Sequence, residues 1–524
     1  MTVSQTSRNQ VALAAICLSA LMFGLEISSV PVLLPVVGKE LHGGFADLQW
    51  IMNAYTIACA TVLVAAGVLA DRFGRRRLLV AAVAAFGLTS LLCGLTQDVA
   101  VLIAGRFLQG MSGGVMLICQ VAILSHQFRE GRQRARALAA WGIVFGIGLG
   151  FGPAIGGGLV TLASWHWVFL VHVLVAAVTL VLIAIGVNES RGPKAGRVDL
   201  PGIGTLSLAV FGLVFFITQG PSLGFTSALE LGILGLSAAC FAAFAVVERT
   251  VRHPVFQFSV FRIPAFSGAL LGSMGMNFSF WPLMIYLPIY LQSGLGYGVN
   301  TAAAATLAYT IPTLLLPPLA ERLALRYRPA VIIPLGLYVI GLGFLLMNLG
   351  SGADHASWLT ILPGALLAGT GLGLTNTPVT NTTTGSVPSN RSGMASGIDM
   401  SARMTSLAVN IALMGLLLTM GITGSLRDRV TGQLTEPQVQ ALAERVANGD
   451  DTATLRHTFP QLTYPDSAEH LVRPALTQGF GLITLYGSIV VWIIATASLL
   501  VFRRSPRREP ASSLSRRPRR DRFP

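Results

Sequence analysis

Two charged side chains lie inside long apolar segments of this sequence, where a charge is costly unless it has a function or a partner. Glu26 stands within the first apolar run, and Arg106 stands within the fourth, three residues before Gln109. A carboxyl group held out of water can bind and release a proton, and a neighbouring arginine can tune that exchange. We therefore predict proton-transfer chemistry here. The alternatives are a structural ion pair between Glu26 and Arg106, or an arginine that binds nearby carbonyl oxygens.

A short charged segment after the second apolar run combines glycines, an acid and several arginines. Its candidate functional residues are Gly67, Asp71, Arg72, Gly74, Arg75 and Arg76. Glycine permits the tight turn that joins two helices, and arginines can pair with an acid at a membrane boundary. We expect a tight turn in which Asp71 pairs with the neighbouring arginines. The alternative is a basic loop that serves to orient the chain.

Small residues recur at a spacing of four in the fifth run, together with a proline. The residues are Gly148, Gly152, Pro153, Gly156 and Gly157. This spacing permits another helix to pack closely, while proline removes a backbone donor and favours a kink. We predict that this run forms a seam along which helices move.

Aromatic side chains are concentrated in the ninth run, at Phe278, Trp281, Tyr286 and Tyr290. Aromatic rings beside a cavity suit flat ligands that are apolar or cationic. The alternative is ordinary helix packing together with an aromatic belt at the membrane surface.

The composition of the chain indicates that a bilayer surrounds the elements that carry these residues. Of the 524 residues, 53% are hydrophobic and 11% are charged, whereas a soluble domain has about 25% charged residues. This argues against a soluble enzyme, a disordered protein and a secreted disulfide scaffold. The five cysteines lie in apolar runs without a CxxC pair, and the chain lacks a P-loop. We therefore expect no metal, no cofactor and no direct use of ATP.

Fourteen apolar runs each approach the length of about 20 residues that a membrane-spanning helix needs. They lie at about 11–37, 50–70, 78–96, 99–125, 138–161, 167–187, 201–219, 228–247, 265–291, 301–320, 330–349, 357–381, 399–422 and 477–502. Most of the arginines and both termini fall on the same side of these runs, so the positive-inside rule places both termini in the cytoplasm. The net charge of +14 then reflects orientation across a membrane and not binding to nucleic acid.

A weak internal repeat indicates how the fourteen helices are grouped. Glu321 and Arg322, after the tenth run, form a degraded copy of the Asp71 and Arg72 pair after the second run. A motif that recurs in the second half of the chain predicts two parallel six-helix repeats with a helix pair inserted between them. The predicted parts are an N-terminal bundle (1–190), the inserted pair with its cytoplasmic linkers (191–260), a C-terminal bundle (261–502) and a basic cytoplasmic tail (503–524). The fold expected is thus an all-α polytopic membrane protein.

The segment 423–476 is the one sizeable polar region outside the predicted membrane helices, on the extracytoplasmic side. We expect a solvated loop with local structure. The alternative is a short capped helix, because Val439, Leu442 and Val446 have helical spacing after Thr435. The arginine-rich tail is expected to be disordered.

These motifs resemble those of the major facilitator superfamily, and in particular of its fourteen-helix drug/proton antiporters. The loop that contains Asp71 resembles the superfamily's signature loop, and Arg106 with Gln109 and Gly110 resembles its helix-4 motif. The glycine and proline pattern of the fifth run resembles the motif of its proton antiporters. The resemblance implies the major facilitator fold.

The sequence departs from this family at positions close to the candidate chemistry. Glu26 stands where aspartate is usual, and His172 stands where asparagine is usual. Histidine titrates near neutral pH, but we expect His172 to be neutral and hydrogen-bonded. Asp399 and Arg403 lie four residues apart, which predicts that they pair on one helix face.

The resemblance also implies a function and a set of partners. We expect a proton-coupled secondary transporter, not an enzyme, that exports small amphipathic compounds by alternating access. Glu26 is then the coupling or substrate-contacting acid, and Arg106 takes part in proton transfer. The expected setting is a monomer in the lipid bilayer of the inner cell membrane, without nucleic acid. The alternatives are an exporter of one physiological metabolite, or a membrane receptor or transferase; the sequence does not identify the substrate.

Overall fold

The computed structural model describes residues 5–128, 131–191, 200–250, 258–353, 355–387, 392–430, 433–448, 455, 458–459 and 468–504. The α-helices in chain order are α1 (Gln5–Glu40), α2 (Phe45–Phe73), α3 (Arg75–Leu95), α4 (Val99–Gln127), α5 (Gly131–Leu162), α6 (His166–Gly186), α7 (Leu200–Leu223), α8 (Ala228–Thr250), α9 (Pro264–Asn277), α10 (Phe280–Ile289), α11 (Val299–Leu315), α12 (Pro317–Tyr327), α13 (Pro329–Ser351), α14 (Trp358–Gly385), α15 (Ser392–Arg429), α16 (Glu436–Asn448) and α17 (Ala468–Arg503). The prediction of an all-α fold is confirmed for these residues. Residues 505–524 of the predicted tail lie outside them.

Helix is the structure that an apolar run adopts in a bilayer, because a helix pairs its own backbone N–H and C=O groups there. Local signals set the ends of the helices. The Asp98 carboxylate caps α4, accepting from the N–H groups of Ala100 at 2.8 Å and Val101 at 3.0 Å. Gly74 separates α2 from α3 with a φ of +110°. A side chain is strained at this φ, so the turn requires glycine.

Each of the fourteen predicted runs contains helix, but some runs do not form one unbroken span. Ten helices of the described residues are long and apolar enough to cross a membrane, or eleven if α11 and α12, bent by 42°, count as one span. α7 contains a shorter apolar segment, Gly204–Gly220. The count of fourteen membrane helices therefore stays a prediction.

The ninth run is divided between α9 and α10 for a local reason. Pro282 has no N–H group in the first turn of α10, so one carbonyl loses its helical partner. Ser279 between the two helices has non-helical angles, φ −143° and ψ −83°. Asn277 Nδ2 donates to the carbonyl of Ser273 at 2.8 Å, and Ser279 Oγ donates to that of Gly275 at 2.7 Å. Side chains thus satisfy carbonyls around the break.

The helices pack in two groups. In the first, α1 packs on α5 and α6, α2 packs on α4, and α3 packs on α4 and α6. In the second, α13 packs on α14 and α17, and α9 packs on α14, α15 and α17. The groups meet along two seams, α2 against α15 and α5 against α11. α7 lies against α2 and α15 and carries α8, so this hairpin is peripheral to the first seam.

The buried apolar side chains show where the two groups are in contact. α15 packs Met400 and Met404 against a cluster of the first group, but the core shared by several helices of both groups lies elsewhere. One cluster connects the C-terminal half of α1 and the N-terminal half of α2 to α10, α13, α15, α16 and α17. The N-terminal half of α1 belongs to another cluster with α3, α4 and α6. The groups therefore share their core at one end of the molecule. We call this the joined end; it is marked by the buried residues Val37, Leu48 and Val446.

The helix α16 lies at the joined end. Its residues Val439, Leu442 and Val446 are buried, and Asn448 Nδ2 donates to the carbonyl of Gly43 in the loop between α1 and α2. The expectation of a solvated loop is therefore wrong for Glu436–Asn448, and the alternative of a short helix is confirmed. The apolar stripe was visible in the sequence, but the surface that it packs against was not.

Candidate functional site

An ion pair joins the middle of α1 to α4. The side chains of Glu26 and Arg106 are both 0% exposed, and Arg106 Nη1 donates to Glu26 Oε1. The same nitrogen donates to Gln109 Oε1 at 2.6 Å, and Arg106 Nε donates to the carbonyl of Ile51 in α2 at 3.1 Å. The structure thus brings together the three residues predicted for proton coupling.

Further side chains hold the guanidinium in place. Gln109 Nε2 donates to Ser90 Oγ of α3 at 2.8 Å, which leaves its amide oxygen directed at Arg106. The guanidinium carbon lies 4.4 Å from the ring centroid of Tyr55 and 5.9 Å from that of Phe169. Cation–π attraction is strong when both groups are desolvated. Arg106 is therefore fixed by α1, α2, α3 and α6 together.

The chemistry available to this site is proton binding. The two charges compensate each other away from water, which is the condition for keeping ionised groups buried. One proton on Glu26 would remove its charge and end the pairing with Arg106. The site can therefore link proton binding to the contact between α1 and α4.

His172 of α6 also lies beside this pair, a position that the sequence analysis did not predict. Its Nδ1 is 2.9 Å from the carbonyl oxygen of Val168 and 3.5 Å from Glu26 Oε2. The expected hydrogen bond of His172 is therefore present. Its proximity to Glu26 follows from the packing of α6 on α1, which periodicity within one run does not reveal.

A second buried network lies on α15. The predicted pair is formed, with Arg403 Nε donating to Asp399 Oδ2 at 3.1 Å. Ser273 of α9 donates to the other carboxylate oxygen. Arg403 also donates to Asn376 Oδ1 at 2.6 Å and to Thr380 Oγ1 at 3.1 Å, both on α14. Because every charged group has close partners, this network ties three helices together.

The charged loop between α2 and α3 is held by an acid that the sequence analysis missed. Glu189, just after α6, accepts from the backbone N–H groups of Arg76 at 3.1 Å and Arg77 at 3.2 Å. Its carboxylate thus caps the first turn of α3, where negative charge is favoured. A Cβ at Gly74 would lie 2.7 Å from this carboxylate. The absence of a side chain at Gly74 lets Glu189 approach.

The other predicted loop residues lie around this cap. The Arg75 N–H donates to the carbonyl of Ser190 at 2.9 Å. Gly67 and Asp71 belong to α2, and Arg72 in its last turn is exposed. The side chain of Asp71 lies outside the described part of the chain, so its predicted pairing with arginines stays a prediction.

The small residues of α5 bring it close to α1. Gly148, Gly152 and Gly156 face that helix. A Cβ at Gly148 would lie 2.9 Å from the carbonyl oxygen of Leu21, and one at Gly156 would lie 2.9 Å from Ser29 Cβ. The glycines therefore set the distance between α5 and the segment of α1 that carries the buried acid.

The same helix forms a seam with the second group. A Cβ at Gly157 would lie 2.6 Å from Ala303 Cβ of α11, and Thr310 Oγ1 donates to the carbonyl of Gly150 at 2.6 Å. Pro153 lies inside α5 between these contacts. The predicted motif thus occupies both the α1–α5 contact and the α5–α11 seam.

The four predicted cavity aromatics lie at and after the break between α9 and α10. Tyr286 and Tyr290 are buried in the apolar cluster of the joined end, whereas Phe278 and Trp281 are half-buried. The Tyr286 hydroxyl donates to the carbonyl of Ile411. The tyrosines are packed in this conformation, and their contact with a ligand stays a prediction.

Comparison with known proteins identifies the relatives of this chain. The model of the Major Facilitator Superfamily matches residues 16–411. The chain is 30% identical to Multidrug resistance protein Stp of Mycobacterium tuberculosis, over 93% of this chain and 90% of that protein. It is 28% identical to the Tetracenomycin C resistance and export protein of Streptomyces glaucescens, over 94% of this chain and 92% of that protein.

A solved structure supports the same fold. A bacterial homolog of the human lysosomal transporter Spinster, in an inward-facing and unoccupied conformation, matches with a TM-score of 0.59 at 15% identity. The match covers 96% of this chain and 99% of that one. With its long apolar helices and its bacterial relatives, the protein is a multi-pass protein of the bacterial inner membrane. The chain, as its loop and helix motifs predicted, belongs to the Major Facilitator Superfamily.

Proposed function

We propose that this protein is a proton-coupled secondary transporter that exports small amphipathic compounds, such as drugs or toxic metabolites, by alternating access. The observation that carries the proposal is the fully buried ion pair of Glu26 and Arg106. A charge pair inside a membrane helix bundle is costly to keep without a function. The relatives, a multidrug resistance protein and an antibiotic resistance and export protein by name, support export as the direction.

The proposed topology has fourteen membrane helices and both termini in the cytoplasm. An N-terminal bundle (1–190) is followed by the inserted pair (191–260), a C-terminal bundle (261–502) and a tail (503–524). The peripheral position of α7 and α8 supports the insertion. In this orientation the joined end faces away from the cytoplasm, so the conformation is inward-facing.

In the proposed cycle Glu26 releases a proton when substrate binds from the inside and regains a proton when the site faces out. Substrate binding from the cytoplasm favours release of the proton, and Arg106 then pairs with the ionised carboxylate. Gln109 keeps the guanidinium directed at Glu26. When the site faces outward, a proton binds Glu26 again, its pairing with Arg106 ends and the substrate leaves.

The remaining motifs supply the moving parts of this proposal. The loop of Gly67, Asp71, Arg72, Gly74, Arg75 and Arg76 acts as the cytoplasmic gate. The α5 glycines form the seam along which the bundles rock, and Phe278, Trp281, Tyr286 and Tyr290 line the substrate path. The transporter works as a monomer in the bilayer, with protons and the substrate as its partners.

Glu26→Gln tests the proposal, because glutamine keeps the size and polarity of the side chain and cannot exchange a proton. A pH gradient is imposed across inverted membrane vesicles, and the uptake of the probe ethidium is measured. We expect wild-type vesicles to accumulate ethidium when the gradient is present, and Glu26→Gln vesicles to lose gradient-driven uptake.

The matched control is Glu436→Gln, which removes an exposed carboxylate of α16 that pairs with Arg427 at 2.6 Å. This variant is expected to transport ethidium as the wild type does. Full gradient-driven uptake of ethidium by Glu26→Gln would contradict the role of Glu26 in proton coupling.

A second candidate is an exporter of one physiological compound, such as an antibiotic made by the same cell. The relative from Streptomyces glaucescens, which is named for resistance to and export of Tetracenomycin C, favours this candidate. A panel of cationic dyes, antibiotics and aromatic polyketides in the same vesicle assay separates the two. Uptake of one chemical class alone supports the specific exporter.

A further inference from the structure

His172 is a second titratable side chain beside Glu26. Its side chain is 1% exposed on α6. The Nδ1 atom lies 2.9 Å from the carbonyl oxygen of Val168, which can accept but not donate, so Nδ1 carries a hydrogen. The neutral ring therefore has its lone pair on Nε2. The geometry fixes which nitrogen is free to take a proton.

Two acceptor atoms of this site have unused capacity. His172 Nε2 and Glu26 Oε2 are buried, and neither has a hydrogen-bond partner among the described residues. A proton on Nε2 would make the ring a cation whose Nδ1 lies 3.5 Å from Glu26 Oε2. The carboxylate then has a cation at each oxygen, with Arg106 at Oε1 and the imidazolium at Oε2.

Among the residues that the structure describes, one negative and one positive group near His172 bear on its charge. Glu26 of α1 lies between the imidazole and Arg106 of α4. Cys93 is the nearby titratable group of α3, and Tyr55 of α2 lies beyond the guanidinium. α5 has no titratable side chain after Arg136. The Phe86 ring of α3 packs edge-on against the imidazole at 5.8 Å between centroids.

We propose that His172 is a second proton-binding residue of the coupling site and shares the coupling proton with Glu26. The proposal rests on the proposed function and extends it by a residue that the family usually has as asparagine. One proton from solution forms one N–H bond at Nε2, while Glu26 stays ionised between the guanidinium and the imidazolium.

The pairing with Arg106 decides which residue holds the proton in this conformation. Protonation of Glu26 would dissolve its ion pair with Arg106, whereas protonation of His172 leaves that pair intact and adds a second one. Imidazole also titrates in the physiological range. We therefore infer that His172 holds the proton while α1 and α4 are paired, and that Glu26 takes it when they separate.

The test compares His172→Asn, His172→Gln and Glu26→Gln with the wild type, using ethidium uptake into inverted vesicles over about pH 5.5 to about pH 8.5. Asparagine and glutamine keep a polar side chain but bind no proton in this range. We expect both His172 variants to retain uptake at acid pH. Their pH–rate curve moves to lower pH by about one unit or more, a tenfold change in proton concentration.

The outcomes separate this inference from the proposed function. Unchanged pH–rate curves for both His172 variants, with Glu26→Gln inactive, overturn the role of His172 and leave proton coupling at Glu26 in place. Absence of gradient-driven uptake by the wild type overturns both.

A second measurement does not depend on folding of the His172 variants. Infrared difference spectra of the purified wild type are recorded between about pH 8 and about pH 6. Because all eight histidines of the chain contribute imidazole signals, the diagnostic signal is that of buried carboxylic acids. While α1 and α4 are paired, we expect no such band that Glu26→Gln removes. Such a band would assign the proton to Glu26 alone and overturn the inference.

Discussion

The charge of Glu26 is tolerated in the protein interior because Arg106 is bound by groups from several helices. Arg106 contacts Glu26, Gln109, the Ile51 carbonyl and the Tyr55 ring at the same time. Removing both charges of a buried pair costs much less than removing one, since the remaining charge would have no partner. The stability of this site is therefore a property of the pair.

Arg106→Ala is expected to lower the free energy of unfolding by about 3–5 kcal/mol, because it leaves the buried Glu26 without the guanidinium that compensates its charge. The double variant Glu26→Gln with Arg106→Gln is expected to be more stable than Arg106→Ala. Chemical unfolding in detergent micelles measures both. If the effects of Glu26→Gln and Arg106→Gln simply add in the double variant, the two side chains are independent and the pairing is contradicted.

Residues were predictable from the sequence where a charge interrupts an apolar run, and not where a partner comes from a distant helix. Glu26 and Arg106 stand out in the sequence because each violates the composition of its own helix. His172 and Glu189 gain their roles from the approach of α6 to α1 and α3, which no local pattern encodes. The Asp399 and Arg403 pair was predictable because both residues lie on one helix face.

At the scale of the element, the glycines of α5 determine where Glu26 lies. A Cβ at Gly148 would lie 2.9 Å from the Leu21 carbonyl oxygen and 3.0 Å from the backbone nitrogen of Leu25. Backbone atoms cannot rotate away as a side chain can. A methyl group at Gly148 therefore has to push α1 away from α5.

Gly148→Ala is expected to destabilise the protein by about 1–3 kcal/mol and to reduce gradient-driven ethidium uptake. Gly158→Ala is the matched control, since a Cβ there would meet nothing within 4 Å. The control is expected to be neutral or slightly stabilising, because alanine favours helix. Thermal unfolding in detergent and vesicle uptake measure the two effects. Equal behaviour of the two variants would contradict the close α1–α5 contact as the reason for the motif.

Glu444 is the residue through which we expect the packing of α16 to depend on pH. Its side chain lines a cavity of about 500 Å³ between α16 and the end of α1, together with Lys39, His42 and Arg445. Burial raises the pKa of the Glu444 carboxyl above its ordinary value. An acid whose pKa is raised in the packed state binds a proton more readily there than in the unpacked state. At a pH above the raised pKa the acid is ionised, and the cost of burying its charge opposes packing. At lower pH the acid becomes protonated and this cost disappears.

Packing of α16 is therefore expected to strengthen as the pH falls through the raised pKa of Glu444, and to weaken as the pH rises. The pH dependence of α16 packing is measured by hydrogen exchange of the α16 amides, corrected for the intrinsic pH effect. The measurement uses a His42→Gln background. Glu444→Gln is expected to remove the dependence, and Glu436→Gln, on the exposed side of α16, to keep it. Retention of the dependence in Glu444→Gln would assign it to another group.

Elements were predictable where the apolar pattern is continuous and less so where the chain breaks it. The first eight runs each correspond to one helix, whereas the run at 265–291 is split by Pro282 and Ser279. Proline and serine inside an apolar run are visible in the sequence. Whether they kink or break the helix depends on side chains that bind the carbonyls at the break, such as Ser279 on Gly275 and Asn410 on Asn277.

At the scale of the whole molecule, the two helix groups share a core at the joined end. Sequence repeats predicted the existence of two halves, because the loop after α2 has a degraded copy at Glu321. The conformation was not predictable, since in the proposed alternating-access cycle the same sequence supports both states. The shared apolar cluster selects one of them in this structure.

A disulfide across the joined end is expected to stop transport. Thr161 Oγ1 of α5 donates to Asn300 Oδ1 of α11 at 2.8 Å, and both side chains are exposed. In a Cys240→Ser background, which keeps the four buried cysteines, oxidation of the Thr161→Cys and Asn300→Cys pair should abolish ethidium uptake, and reduction should restore it. Each single cysteine variant is the control and should be insensitive to oxidant. If the cross-linked protein transports ethidium at the wild-type rate, the α5–α11 seam does not open in the cycle and the joined end is a static part of the fold.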